Sequence, residues 1–179
     1  MRLPERGEGQ TRIGVAVPVP APFSEILSEA RRRSGDGFAD LIPPHVTLLG
    51  PTVVDQSAMG AVSEHLAAVT SAAEAFTMIL RGTGTFRPVS EVVFVQVAQG
   101  IAECEQLERL VRAGILEQDL RFNYHPHVTI AHDVDADALD RAFEESAGFE
   151  ATFEVAAVDL FEHGDDGVWR TVETFPLGG

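Results

Sequence analysis

Lysine is absent from this sequence. All 13 basic residues are arginine, and the chain has 28 acidic residues, which gives a formal net charge of −15. Because an acidic protein repels polyanions at long range, this balance argues against an extended binding track for nucleic acid. A local site for one phosphate remains open, since arginine binds phosphate through a planar, bidentate fork. Any nucleic-acid partner is therefore expected to be held at one or two phosphates.

Cysteine and long apolar segments are also scarce. Cys104 is the only cysteine, which excludes an internal disulfide and a zinc site made of cysteines alone. The longest apolar stretch, residues 13–23, is interrupted by three prolines and is too short to span a bilayer. The first twelve residues are charged and lack the apolar core of a secretory signal peptide. We expect a cytoplasmic protein with no membrane partner.

The first half of the chain shows alternating strand and helix patterns. With 179 residues, of which 45% are hydrophobic, the chain suits one domain with a sizeable core. Hydrophobic periodicity predicts, in order, a strand at 13–17, a helix over 23–30, a short strand from His45, a helix over 59–69 and a strand from Phe76. The first helix ends in the arginine run 31–33, which we interpret as complementing the helix dipole rather than as an anion site.

The second half repeats this order. It shows a nearly continuous apolar strand over 92–98, a helix over 104–111, a short strand from His127, a helix through 139–143 with Asp135 as N-cap, and a strand from Phe153. A turn at 164–167 then closes a hairpin. The pattern predicts duplicated β-α-β-α-β lobes in a single domain, with lobe one at about 11–86 and lobe two at about 90–177.

One motif occurs at the same place in both halves. Residues 44–48 read PHVTL, and residues 126–130 read PHVTI. Because side chains alternate across a strand, each histidine shares a face with the threonine two positions later, and the aliphatic residues point to the other face. If a pseudo-twofold axis relates the halves, His45, Thr47, His127 and Thr129 meet across a cleft.

That set of groups suits displacement at phosphorus. The attacking oxygen needs a base and the leaving oxygen needs an acid, and histidine can serve as either near neutral pH. We therefore take His45 and His127 as candidate catalytic residues. Thr47 and Thr129 are candidate phosphate-binding residues, because their hydroxyls can donate to oxygens that gain negative charge. This scheme requires no metal and no other cofactor.

Two alternatives remain open. His125 and His127 form a His-x-His pair of the kind that binds zinc, which would make the protein a metal-dependent hydrolase. A binding module for nucleotides without catalysis is the other alternative, although a pure binder has no need of two titrating groups. Arg87, after the glycine-containing segment 82–86, is a candidate substrate-binding residue, and His163 is expected at the surface.

At these motifs the sequence resembles the two-histidine phosphoesterase superfamily, which includes the bacterial 2′-5′ RNA ligase and 2′,3′-cyclic nucleotide phosphodiesterase group. The mark of that family is histidine, any residue, Thr or Ser, and an apolar residue, present twice. Tyr124 matches the aromatic residue often found before the second histidine, and residues 158–177 resemble the final hairpin of the family. The resemblance covers nearly the whole chain and is closest to small actinobacterial members.

The resemblance implies an α+β fold in which largely antiparallel sheets flank a central cleft. It also implies a metal-independent phosphoesterase that acts on 2′,3′-cyclic phosphates or 2′-5′ linkages of nucleotides, short oligonucleotides or RNA ends, with ligation as the reverse reaction. Tyr124 becomes a second candidate substrate-binding residue. One departure concerns the cation that many relatives carry shortly after the second motif, where this chain has Ala131, His132 and Asp133. Either His132 replaces that cation, or the contact is absent.

Overall fold

The computed structural model describes residues 3–120 and 122–178. Within them the chain forms eight strands and four helices. In chain order these are β1 (Gln10–Pro18), α1 (Phe23–Arg33), β2 (His45–Asp55), α2 (Met59–Ser71), β3 (Phe76–Thr85), β4 (Val92–Gln99), α3 (Ile101–Val111), β5 (His127–His132), α4 (Ala136–Glu145), β6 (Glu150–Val155), β7 (Ala157–His163) and β8 (Trp169–Pro176). Short 3-10 turns occupy Gln56–Ala58 and Gly114–Leu116. No helix in this part of the chain is both long and apolar enough to cross a membrane.

The strands form two four-stranded sheets. One has the order β2-β1-β7-β8 and the other β5-β4-β3-β6, and every pair of neighbours is antiparallel. This confirms the α+β class with antiparallel sheets. The strand order also shows the pseudo-twofold relation, because the two strands that carry the repeated motif, β2 and β5, are the corresponding edge strands.

The sheets do not divide the chain at residues 86–90, where the sequence placed the lobe boundary. Strand β3 lies in the second sheet, while β7 and β8 complete the first. The connection after β3 is short, and the backbone N–H of Phe86 donates to the carbonyl of Val92, so β3 and β4 form an antiparallel hairpin. The single strand expected from Phe153 is two strands in different sheets, which only Ala156 separates.

Helices α1 and α3 each follow a strand of one sheet and pack against a strand of the other, which brings the motif strands together. Helix α1 follows β1 but packs against β5, and helix α3 follows β4 but packs against β2. Strands β2 and β5 also contact each other directly. Their inward side chains, Val46, Leu48, Val128 and Ile130, are almost completely buried in one continuous core. Burying four such side chains stabilises this junction by several kcal/mol, at about 1.5–3 kcal/mol for each.

Helix α4 begins where the sequence predicts. The carboxylate of Asp135 accepts a hydrogen bond from the backbone N–H of Ala138 at 2.8 Å. This bond satisfies one of the N–H groups that have no partner within the helix. The N-cap prediction is therefore confirmed, and α4 is fixed against β3, β4 and β5.

Candidate functional site

The repeated motif presents its polar side chains to a single cavity. Val46 and Val128 are fully buried, whereas His45, Thr47, His127 and Thr129 are only partly buried. These four polar side chains line a cavity of about 210 Å³, which we call the histidine cavity. The structure thus brings together the four residues that the sequence grouped from strand alternation.

Both histidine rings are held by the same kind of hydrogen bond. Nδ1 of His45 lies 2.7 Å from the carbonyl oxygen of Pro43, and Nδ1 of His127 lies 2.7 Å from the carbonyl oxygen of His125. A carbonyl can only accept, so each Nδ1 must donate. In the neutral ring the proton therefore resides on Nδ1, and Nε2 is left as the acceptor. His125 therefore contributes its backbone carbonyl to the orientation of His127.

The reactive atoms of these side chains are unpaired in the described part of the chain. No hydrogen bond there engages Nε2 of His45 or His127, or the hydroxyls of Thr47 and Thr129. Every fully buried side-chain nitrogen or oxygen among the same residues does have a hydrogen-bond partner. These atoms must therefore be open to the cavity. A ligand that enters meets two imidazole nitrogens and two hydroxyls that are ready to bond.

Burial perturbs the two histidines in the same direction. It lowers the pKa of His45 to about 4, and the positive charge of Arg31 acts in the same sense, as does that of His127 when it is protonated, although the Pro43 carbonyl partly opposes this effect. Burial also lowers the pKa of His127, with a smaller contribution from His125, against the raising effect of the His125 carbonyl. Both rings are therefore neutral at pH 7 in the empty cavity.

Aromatic side chains fix the rings from the side. The ring of His127 lies 4.9 Å from Phe86 and 5.0 Å from Phe94, measured between centroids. The ring of His45 lies 6.2 Å from Phe161. With the Nδ1 bonds, these contacts limit rotation about the side-chain bonds, so each Nε2 has a defined direction.

A second, larger opening adjoins the histidine cavity. This aromatic groove, of about 760 Å³, is lined by Phe86, Phe122 and Tyr124 among others. It shares Thr47 and His127 with the histidine cavity. The motif residues therefore lie at the junction of a small polar cavity and a larger apolar groove, an arrangement suited to a ligand with a polar centre and a planar substituent.

The two candidate substrate-binding residues occupy different places. The ring of Tyr124 lines the aromatic groove, and its hydroxyl donates to the carbonyl of Thr47 at 2.9 Å. Burial raises the pKa of Tyr124, so the hydroxyl stays protonated. Arg87 lines neither cavity, and its Nη2 donates to the carboxylate of Asp140 at 2.7 Å. Its neighbour Phe86 lines both.

The other histidines are dispersed. His125 is exposed and lines the aromatic groove, with its ring centroid 6.2 Å from that of His127. Within residues 3–120 and 122–178, no group of three or more His, Cys, Asp or Glu side chains is placed to hold a metal ion. His163 is buried against Arg12 and Trp169, which makes the expectation of a surface position wrong. His132 is half-buried and lines the histidine cavity.

Sequence reasoning missed Arg31. The arginine run at the end of α1 was assigned to the helix dipole, but Arg31 is 6% exposed and lines the histidine cavity. A signal existed: Arg31 follows Leu27 by four residues, and Leu27 is on the buried face of the helix. Ile26, the apolar neighbour of Leu27 in the same helix, is 51% exposed.

Known proteins share this sequence pattern and fold. The model of the 2′-5′ RNA ligase superfamily matches residues 18–167. A Bacillus licheniformis protein named "Putative phosphoesterase" is 28% identical over 171 residues, covering 93% of this chain and 99% of that protein. A protein of the same name from Halalkalibacterium halodurans is 27% identical over 167 residues, covering 92% and 96%. These relatives lend no support to a special likeness with actinobacterial members.

Solved structures show the same architecture. E. coli LigT complexed with NADP+ superposes with a TM-score of 0.69 at 20% identity, covering 95% of this chain and 99% of that chain. LigT complexed with 3′-AMP gives a TM-score of 0.66 at 18% identity, with the same coverage. At such identities the likeness establishes the fold alone, and the family follows from the sequence match over most of the chain. The chain belongs to the 2′-5′ RNA ligase superfamily, a family of two-histidine phosphoesterases.

Proposed function

We propose that the protein hydrolyses 2′,3′-cyclic phosphates or 2′-5′ phosphodiesters of nucleotides or RNA ends, with His45 and His127 as the acid–base pair. The observation that supports this most is the matched pair of Nδ1 hydrogen bonds. Each bond leaves Nε2 as the proton-transferring atom, and both Nε2 atoms are open to one cavity. In-line displacement at phosphorus requires an oriented base and an oriented acid, and two imidazoles whose Nε2 atoms face one cavity can supply both.

In the proposed hydrolysis, water is the nucleophile and a ribose oxygen is the leaving group. A water oxygen forms a bond to phosphorus while the neutral histidine takes one water proton at Nε2. The bond from phosphorus to the leaving ribose oxygen breaks, and the protonated histidine donates its Nε2 proton to that oxygen. Thr47 and Thr129 donate to the non-bridging oxygens as negative charge builds there. Because the two histidines are held alike, the reverse reaction, ligation with a ribose hydroxyl as nucleophile, uses the same groups.

The shape and charge of the site favour a small substrate. The aromatic groove beside the histidines can receive a nucleoside, with Phe86 and Tyr124 as surfaces for its base. Solved structures of E. coli LigT contain 3′-AMP, NADP+ or ATP, which supports a nucleotide as the substrate class here. With a net charge of −15, the protein is expected to engage a nucleotide, a short oligonucleotide or an RNA terminus.

A panel of substrates tests the proposal. The panel comprises the four nucleoside 2′,3′-cyclic phosphates and matched 2′-5′ and 3′-5′ dinucleotides, with products resolved as 2′- or 3′-phosphates. We expect turnover of a cyclic phosphate or a 2′-5′ dinucleotide, and its loss in His45→Ala and His127→Ala. His65→Ala is the matched control, because that ring bonds the Val111 carbonyl away from both cavities.

Two outcomes would contradict the proposal. Loss of activity in EDTA or phenanthroline, with recovery on adding zinc, would favour a metal-dependent hydrolase built on His125 and His127. Tight nucleotide binding without turnover of any substrate in the panel would favour a binding module.

A further inference from the structure

Arg31 brings a permanent positive charge to the histidine cavity. It lies in the last turn of α1, and it is the one arginine among the described residues that line this cavity. Its charge contributes to the lowered pKa of His45, so the two groups are within electrostatic range. An anion bound beside His45 would therefore also be near Arg31.

The guanidinium is held in place by Asp36. Nε of Arg31 donates to Oδ2 of Asp36 at 2.7 Å, and the two side chains are 7% and 0% exposed. The other carboxylate oxygen, Oδ1, accepts from the backbone N–H of Phe38 at 2.8 Å. Ser34 ties its hydroxyl to the Arg31 carbonyl at 2.7 Å. Nε of Arg31 is thus engaged by a carboxylate that is itself held by the backbone of Phe38, which restricts the orientation of the guanidinium.

The two terminal nitrogens of Arg31 are left open. No hydrogen bond within the described residues engages Nη1 or Nη2. Since no buried side-chain nitrogen there lacks a partner, these atoms must be accessible, and the cavity is the space that Arg31 lines. A buried ion pair often stabilises a fold no better than apolar residues would. A fork oriented toward a cavity has a different use, since two N–H groups can bind two oxygens of one phosphate.

His132 does not supply this charge. It lines the same cavity as Arg31. Burial lowers its pKa, and the charge of Arg31 adds to that effect, although Asp133 and Asp36 oppose it. His132 is therefore neutral at pH 7, and Arg31 carries the fixed charge on that side of the cavity.

We propose that Arg31 is the phosphate-binding cation of this site, donating through Nη1 and Nη2 to non-bridging oxygens, with Asp36 as its positioning residue. This assignment rests on the proposed function, because it places the phosphate on which His45 and His127 act as base and acid within reach of Arg31. The ligand class is a phosphate ester that carries negative charge on its non-bridging oxygens.

The test compares two matched Arg–Asp pairs. Arg31→Gln with Asp36→Asn removes the proposed contact without leaving a buried carboxylate unpaired. The control is Arg32→Gln with Asp40→Asn, which removes an exposed pair of the same geometry, with Nε and Oδ1 at 2.7 Å, from the same helix turn. Calorimetry measures binding of 3′-AMP, inorganic phosphate and adenosine to each folded protein.

We expect the double variant Arg31→Gln/Asp36→Asn, called here the Arg31 pair, to bind 3′-AMP and phosphate about 10- to 100-fold more weakly. This is the usual contribution of hydrogen bonds to a charged group. Binding of adenosine should be unchanged, and the control pair should match the parent protein. Unchanged phosphate affinity in the folded Arg31 pair would overturn the assignment. If that variant does not fold, Arg31→Lys retains the charge but loses the fork, and unchanged affinity there would overturn it equally.

Turnover separates this inference from the proposed function. If the parent protein binds phosphate in an Arg31-dependent way but turns over no ester, the proposed function fails and the anion site stands. If the parent protein is active, and the Arg31 pair keeps both its KM and its phosphate affinity, the function stands and Arg31 is only structural. Asp36→Asn alone should raise KM more than it lowers kcat, and Asp36→Glu should restore part of the loss.

Discussion

Binding of a phosphate anion should raise the pKa of His45 from about 4 toward the ordinary histidine value of 6.5. The shift from the ordinary value corresponds to about 3 kcal/mol against the charged ring, at 1.36 kcal/mol per pKa unit. Burial is its largest cause, followed by repulsion from Arg31 and His127. An anion about 4 Å away contributes roughly 4 kcal/mol of attraction at an effective dielectric of 20. Attraction of that size is enough to cancel the shift.

Proton NMR of the imidazole Cε1–H groups measures this directly. In the free protein the resonance of His45, assigned with His45→Gln, should not titrate between pH 5 and pH 8. With saturating inorganic phosphate its midpoint should rise by about one unit or more. The kinetic consequence is a bell-shaped profile whose optimum for kcat/KM, which reports the free enzyme, lies at lower pH than the optimum for kcat.

The lowered pKa of His45 also predicts how the free energy of unfolding depends on pH. Between pH 6.5 and about 4 the unfolded chain binds a proton at His45 that the folded chain does not. Stability therefore falls as the pH decreases through this window, by up to about 3 kcal/mol from this group, and is unaffected by it above the window. Comparing urea unfolding of the parent and of His45→Gln across that range isolates the contribution. A His45 that titrates near 6.5 with or without phosphate would refute the reasoning.

The remaining predictions concern the residues that line the two cavities and the length of the substrate. His45→Ala and His127→Ala should each lower kcat by about 10²- to 10⁴-fold with folding intact by circular dichroism, and full activity in either would exclude the mechanism. Thr47→Val and Thr129→Val should each lower kcat on the order of 10²-fold with less change in KM, as for loss of an oxyanion donor. Tyr124→Phe removes the bond to the Thr47 carbonyl and should lower stability in urea by about 1 kcal/mol, with nucleoside binding retained. For RNAs ending in 2′,3′-cyclic phosphate, the log–log salt slope should stay near 1, at about 0.7 per contacted phosphate, and a slope that steepens with length would reveal a longer track.

The sequence predicted the parts of the structure that depend on local pattern. Strand alternation placed His45 with Thr47 and His127 with Thr129, and the structure shows these pairs on the cavity side of β2 and β5. The N-cap at Asp135 was predicted correctly because the bond spans only three residues. Periods of 2 and 3.6 residues carry this information without knowledge of the partner element.

Long-range pairing was not predictable in the same way. The side-chain alternation within residues 76–85 does not specify which strands lie beside β3, which pairs with β4 and β6. Arg31 was missed for a related reason: the run 31–33 looks uniform, yet only Arg31 lies on the face that packs against β5. Which member of a charged run is buried depends on the angle at which its helix packs, and that angle is a tertiary property.

Duplication of the motif accounts for what the two histidines share. The residues packed around each ring account for how they differ. The two motifs give each histidine the same anchor, so neither is chemically special in isolation. Their surroundings differ, because His45 has Arg31 nearby and His127 packs against Phe86 and Phe94. A positive neighbour disfavours the protonated form of one ring in the empty site, and the phosphate that binds Arg31 neutralises that effect. Arrival of the substrate would then permit the site to hold the proton that a general acid needs, which couples phosphate binding to the protonation state of the pair.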